Sequence, residues 1–158
     1  MAKFSMFNGN YTPSSSTVNY NWILQGVTSI RATMQEVSWG GAASSSTPMQ
    51  TRVTRCSSTA ATGSSSLATT RLDQTIQVSS NAGNNDIALY SLSSTVIPSI
   101  AGMGALFGAA WNAYGGVVRW LAAPGEEFDL ALSANGLACV NDLATPGASS
   151  YGGVWTEF

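Results

Sequence analysis

The sequence predicts an all-β protein, a jelly-roll-like β-sandwich of eight or nine short strands with little helix. Three observations carry that expectation. Apolar and polar residues alternate over many short stretches, the period of two that a half-buried strand requires. Gly, Asn, Ser and Pro punctuate those stretches as turn formers. No stretch repeats apolar residues at the spacing of a convincing amphipathic helix. Many short strands joined this way argue for a sandwich or jelly roll. A chain of 158 residues suits one domain, residues 1–158, around one core.

The elements follow in order. Residues 3–7 read as a first, edge-like strand, and residues 8–16, full of Asn, Gly, Pro and Ser, as a loop. Residues 17–27 are apolar enough for a strand centred on Trp22, Ile23 and Leu24, with a short helix as the alternative. Ile30, Ala32 and Met34 then alternate, and Val37 and Trp39 continue in the opposite phase. A one-residue slip near Gln35 and Glu36 is what a β-bulge produces. Residues 40–47 read as a loop. Met49, Thr51, Val53 and Arg55 alternate with Gln50, Arg52, Thr54 and Cys56, which gives another strand.

Residues 57–70 are small and polar and read as a long exposed loop. Residues 75–79 alternate around Ile76 and Val78, and 81–85 form a strong turn signal. Residues 87–92 are apolar on both faces, as in a fully buried strand. The Gly/Ala-rich run 96–111 reads as a connection between buried strands. Residues 116–132 read as strand, turn, strand: Pro124 presets the second position of a turn and Gly125 takes the positive φ of the third. After that turn Phe128, Leu130 and Leu132 share one face. Residues 136–143 alternate around Leu137, Cys139 and Asn141. Residues 145–153 read as a loop and 153–158 as the last strand.

Composition excludes more than it identifies. Charged residues are 9% of the chain, against roughly 25% in an average domain, and Ser and Thr runs fill the difference. A surface so poor in charge is a solubility risk for a free monomer. It suits a subunit that buries much of itself in an assembly. The net charge is −2, and Lys3, Arg31, Arg52, Arg55, Arg71 and Arg119 make no basic stripe, so nucleic acid is not an expected partner. There is no histidine, which removes the commonest general base and metal ligand and forbids a Ser-His triad. Cys56 and Cys139 are either one bridge or, the favoured reading, two small buried hydrophobes.

No secretion signal is expected from residues 1–10. The uncharged stretch 87–118 is interrupted by Pro98, Ser99, Asn112 and Gly115-Gly116, so a membrane span, which needs about 20 apolar residues, is not expected either. Glu126, Glu127 and Asp129 are the only acidic cluster. Their position beside a turn reads as solvated surface rather than as catalytic carboxylates or, with Asp142, a calcium site. No catalytic residue, metal or cofactor is expected. Trp111 and Tyr114, set near Asn112 and two glycines, are candidates for stacking on a sugar.

The chain also resembles a known family. The features are a Met1-Ala2-Lys3-Phe4 start, Arg119-Trp120-Leu121-Ala122-Ala123-Pro124-Gly125-Glu126-Glu127 followed by an apolar strand, a Gly136-Leu137-Ala138 strand start, and the end Trp155-Thr156-Glu157-Phe158. In this order they resemble the small cement, or decoration, proteins of tailed-phage capsids. The resemblance covers about the last third of the chain and a few N-terminal residues. It implies a jelly-roll-like sandwich, often a homotrimer, that binds the major capsid protein on the outside of an icosahedral head after synthesis in the host cytoplasm. It carries no catalytic residues. On this reading Phe4, Phe7, Trp155 and Phe158 pack at an assembly interface; the alternative is that they close the sandwich. The competing function is a carbohydrate-binding module of a virion, with Trp111 and Tyr114 as the stacking pair.

Overall fold

A computed structural model describes residues 2–12, 19–25, 31–57, 65–66, 69–72, 86–89, 99–100, 104–130, 135–143 and 145–158. Twelve strands make up the regular structure of these residues: β1 (Ala2–Tyr11), β2 (Asn19–Gln25), β3 (Ala32–Gly41), β4 (Pro48–Ser57), β5 (Ser65–Ser66), β6 (Thr69–Arg71), β7 (Asp86–Leu89), β8 (Ala105–Asn112), β9 (Val117–Leu121), β10 (Phe128–Leu130), β11 (Asn135–Asn141) and β12 (Ser149–Glu157). No helix occurs among the described residues. The sequence suggests eight or nine short strands; of the twelve described, β5 and β6 are only two and three residues long.

The strands form two antiparallel sheets. The first runs β10-β3-β12-β1-β6, with β9 also paired to β3; the second runs β5-β7-β2-β11-β4-β8. Pairing is nested along the chain: β1 with β12, β2 with β11, β3 with β9 and β10, β4 with β8. These pairs alternate between the sheets, while β1 with β6 and β2 with β7 fall outside the nesting.

Alternation then builds the core. Phe4, Met6, Met34, Val37, Trp39, Tyr151 and Trp155 of the first sheet pack with Trp22, Leu24, Val53, Leu137 and Cys139 of the second in one buried cluster. The intervening residues of the second sheet point the other way. Tyr20, Ile23, Cys56, Ala138 and Val140 form a second buried cluster on its outer face, with Ile100 packed against it. Mutual hydrogen bonds between Ser57 and Ser99 tie the chain down beside that face.

Several sequence expectations hold in detail. Val154 pairs with Glu36 while Trp155 pairs with Met34, so Gln35 is the extra residue of a bulge where the hydrophobic phase slips. Gly125 has φ +87°, and Glu126 N donates to Ala123 O at 2.9 Å, which closes the turn with Pro124 and Gly125 at its centre. Cys56 and Cys139 are free thiols, both buried. They lie on opposite faces of the second sheet, Cys56 in the outer cluster and Cys139 in the core.

Other expectations are corrected. The first strand continues through Asn8–Tyr11's positions to residue 11, with a register shift against β12 and Asn10 at φ 55° absorbing the turn-prone sequence. It is not an edge, because β6 pairs with its other side. The supposed loop 57–70 contains β5 and the start of β6. The Gly/Ala-rich run holds an edge strand, β8, whose Phe107, Ala109 and Trp111 alternate toward the core. The last strand starts at Ser149. Most important, the Pro124-Gly125 turn does not reverse the chain. β9 pairs with residues 36–40 and β10 with residues 32–34 of the same strand, both antiparallel. Residues 122–127 are an excursion from one edge strand. The expected strand 75–79, the turn 81–85, the second half of 87–92 and Leu132 lie outside the described residues.

Candidate interaction surface

The two sheets differ in what covers their outer sides. The outer side of the second sheet carries a buried apolar cluster with Ile100 packed against it. The first presents its outer face to solvent, and register places its side chains in rows. One row is Phe7, Gly152, Ser38 and Arg119; the next is Ser5, Val154, Glu36 and Leu121; a third is Ser150, Gly40 and Val117. The central strands β12 and β3 thus supply mainly Gly, Ser and Val, and larger side chains stand on β1 and β9. At the usual strand spacing, Phe7 and Arg119 are about 14 Å apart across this row.

The floor of this trough is tight. A Cβ added at Gly152 would stand 2.7 Å from Ser38 Oγ and 3.8 Å from Phe7 Cδ2, so a side chain there would have to displace the Ser38 hydroxyl and would lie beside the Phe7 ring. Phe7 remains 70% exposed, Val117 79% and Leu121 63%. These exposed apolar side chains stand singly, Val117 and Leu121 on either side of Arg119 on β9 and Phe7 across the sheet on β1. The charged pair on this face is neutralised in place. Arg119 Nε and Nη2 donate to Glu36 Oε1 and Oε2 at 2.7 and 3.0 Å, a two-pronged geometry that raises the Arg119 pKa further.

The expected interface residues divide. Phe4 and Trp155 stack on each other in the core, 5.8 Å between ring centres, and are almost fully buried. They close the sandwich. Phe7 and Phe158 are exposed. Phe4 and Phe7 on β1 are an odd number of residues apart, so a pleated strand sends them to opposite faces, and Phe158 lies just past the end of β12.

The expected sugar-stacking pair divides as well. Trp111 packs against the core and its Nε1 donates to Thr51 Oγ1 at 3.0 Å. Tyr114 is 64% exposed on a braced turn: Asn112 Oδ1 accepts from the Tyr114 and Thr47 amides, and Asn112 Nδ2 donates to Ser46 Oγ. The acidic cluster is also dispersed. Glu127 Oε2 accepts from Gly125 N at 2.9 Å and helps shape the turn. Asp142 pairs with Arg52 at 3.0 Å on the second sheet. Among the described residues no three His, Cys, Asp or Glu side chains gather as metal ligands, and no helix is long and apolar enough to cross a membrane.

The two thiols are shielded rather than activated. Burial pushes Cys139 up to about 12, although Asn21 Nδ2 donates to its Sγ at 3.5 Å. Burial likewise pushes Cys56 up to about 11. A reactive cysteine needs the opposite shift.

Searches against protein-family profiles, curated proteins and solved structures return no match to this chain.

Proposed function

We propose that this protein is a capsid decoration protein that binds the outside of an icosahedral phage head through the open face of its first sheet. The observation that carries this reading is the asymmetry of the sandwich. The apolar side chains on one outer face are buried, with Ile100 packed against them, and the other face exposes Phe7, Val117 and Leu121 around a Gly/Ser floor. Such a face suits a broad protein partner presented in many copies, here the major capsid protein. The nested strand pairing supports a jelly-roll reading of the sandwich, and the sequence resemblance points the same way.

Self-association into a homotrimer belongs to the same proposal. Three linked copies convert weak single contacts into avidity through effective concentration. The low charge of the chain favours burial between protein surfaces. The test is co-sedimentation with expanded empty capsids of the encoding virus. Wild-type protein sediments with the shells, and the Phe7→Ser, Val117→Ser, Leu121→Ser triple variant stays in the supernatant while keeping its unfolding temperature. Equal binding by the folded triple variant removes the open face from the proposal.

A further inference from the structure

We propose that a hollow at one end of the open face binds a neutral pyranose sugar. The hollow has a volume of about 290 Å³ and is lined by Arg31, Ala32, Thr33, Asp129, Leu130 and Phe158. It is distinct from Trp111 and Tyr114, the pair that the sequence suggests for sugar binding. Its volume of about 290 Å³ falls just below the usual range of small-ligand sites, roughly 300–1,000 Å³, which fits a single ring sugar better than a nucleotide or an extended chain.

The walls are held in place from outside the hollow. Thr33 on β3 and Asp129 on β10 are register partners. Phe158 N donates to Arg31 O at 2.9 Å, which joins the two ends of the wall. Arg55 reaches from the second sheet, its Nη1 donating to Asp129 O at 2.7 Å. The backbone of β10 is therefore fixed while the Asp129 carboxylate stays exposed.

The chemistry of the lining selects the ligand. Arg31 and Asp129 are both exposed, and neither joins an ion pair among the described residues. Arg31 and Asp129 put both signs of charge into the lining, with the Arg55 guanidinium beside Asp129. A carboxylate accepts hydrogen bonds from adjacent hydroxyls, and a guanidinium and the Thr33 hydroxyl supply donors. Phe158 is 54% exposed and offers an aromatic face to the C–H side of a sugar ring. An aromatic platform beside paired polar groups matches a molecule with one apolar face and an equatorial rim of hydroxyls.

The inference does not depend on capsid binding. It is tested on the whole chain by amide NMR titration with glucose, galactose, mannose and N-acetylglucosamine at millimolar concentrations. The expected result is a saturable shift with at least one sugar, centred on the amides of Arg31, Thr33, Asp129 and Phe158. Asp129→Asn and Phe158→Ala each weaken it at least tenfold with the unfolding temperature unchanged. Arg31→Ala provides a third variant whose backbone carbonyl, the group that anchors Phe158, is retained. The proposal is overturned if no sugar gives a saturable shift, if the shifts persist in folded Asp129→Asn and Phe158→Ala, or if they centre on Tyr114 instead. Asp129→Asn protein should still co-sediment with capsids, so loss of one activity is distinguishable from loss of the other.

Discussion

The indole of Trp120 and the ring of Phe128 stack 4.0 Å apart and 6° from parallel, although the chain leaves the sheet between them. Trp120 stands opposite Val37 on β3 and Phe128 opposite Met34. The bulge at Gln35 lies between those positions, and Ala122 N donates to Gln35 O at 2.9 Å where the excursion departs. The stack thus joins β9 to β10 across the gap, and Phe107 extends it toward Trp39. The first prediction is a coupling between the two rings. A double-mutant cycle with Trp120→Ala and Phe128→Ala, read by urea unfolding, should give about 0.5–1.5 kcal/mol. A coupling of zero would mean that the excursion is held by its backbone alone.

Gly125 isolates a purely conformational effect. Its φ is +87°, and a Cβ placed there meets no atom within 4 Å. Gly125→Ala therefore loses no packing and suffers no clash, yet it forces a side chain into the left-handed region. The expected cost is about 1–2 kcal/mol, with Gly125→Asn milder because Asn tolerates that region. Equal stability of wild type and Gly125→Ala would show that the turn relaxes to another type.

Much of this fold was legible because strand parity is a strong signal. The slip between Met34 and Val37 announced the bulge, and Pro124-Gly125 announced the turn. What parity does not say is where a strand goes after a turn. Residues 117–121 and 128–130 alternate in the same way whether the chain reverses or resumes its course. The choice is made by β3, whose residues 32–40 offer both segments partners along one edge. Edge strand β8 reads as a connection in the sequence because Ala and Gly are poor strand formers, although Phe107, Ala109 and Trp111 carry the alternation. Parity also separates Phe4 from Phe7 on β1, so those two aromatics on one interface are not compatible with one pleated strand. The hollow at Arg31, Asp129 and Phe158 was not legible, because it joins positions whose proximity depends on the pairing of β3 with β10.

That separation of aromatics is directly testable. Phe4→Ala or Trp155→Ala removes a fully buried ring from the core and should cost about 3–5 kcal/mol. Phe7→Ser should change stability by no more than about 0.5 kcal/mol, because the ring is exposed. Thermal unfolding of the three variants gives the ordering. A Phe7→Ser variant as unstable as Trp155→Ala would place Phe7 in the packing of the monomer rather than on an open face.

The buried thiols and tyrosines set the behaviour in alkali. Burial raises Cys56 to about 11 and Cys139 to about 12 from an ordinary 9.0, and Tyr11 to about 12 from 10.0; Tyr151 moves in the same direction. In the unfolded chain these groups lose their protons near their ordinary values, while the folded chain still holds them. Above pH 9 the unfolded state therefore binds fewer protons than the native state, and stability falls as pH rises. The full contribution is present below pH 9 and is lost progressively up to about pH 12. Urea midpoints at pH 8 and pH 10.5 should show a marked fall for wild type. In Cys56→Ala, Cys139→Ala protein the fall should be smaller, with only the tyrosines left to contribute. The same burial predicts that neither thiol reacts with a disulfide reagent at pH 8 until urea unfolds the chain, and that both then react together. A thiol that reacts in native protein would show that its strand opens locally, and the alkaline loss of stability would then begin from that strand.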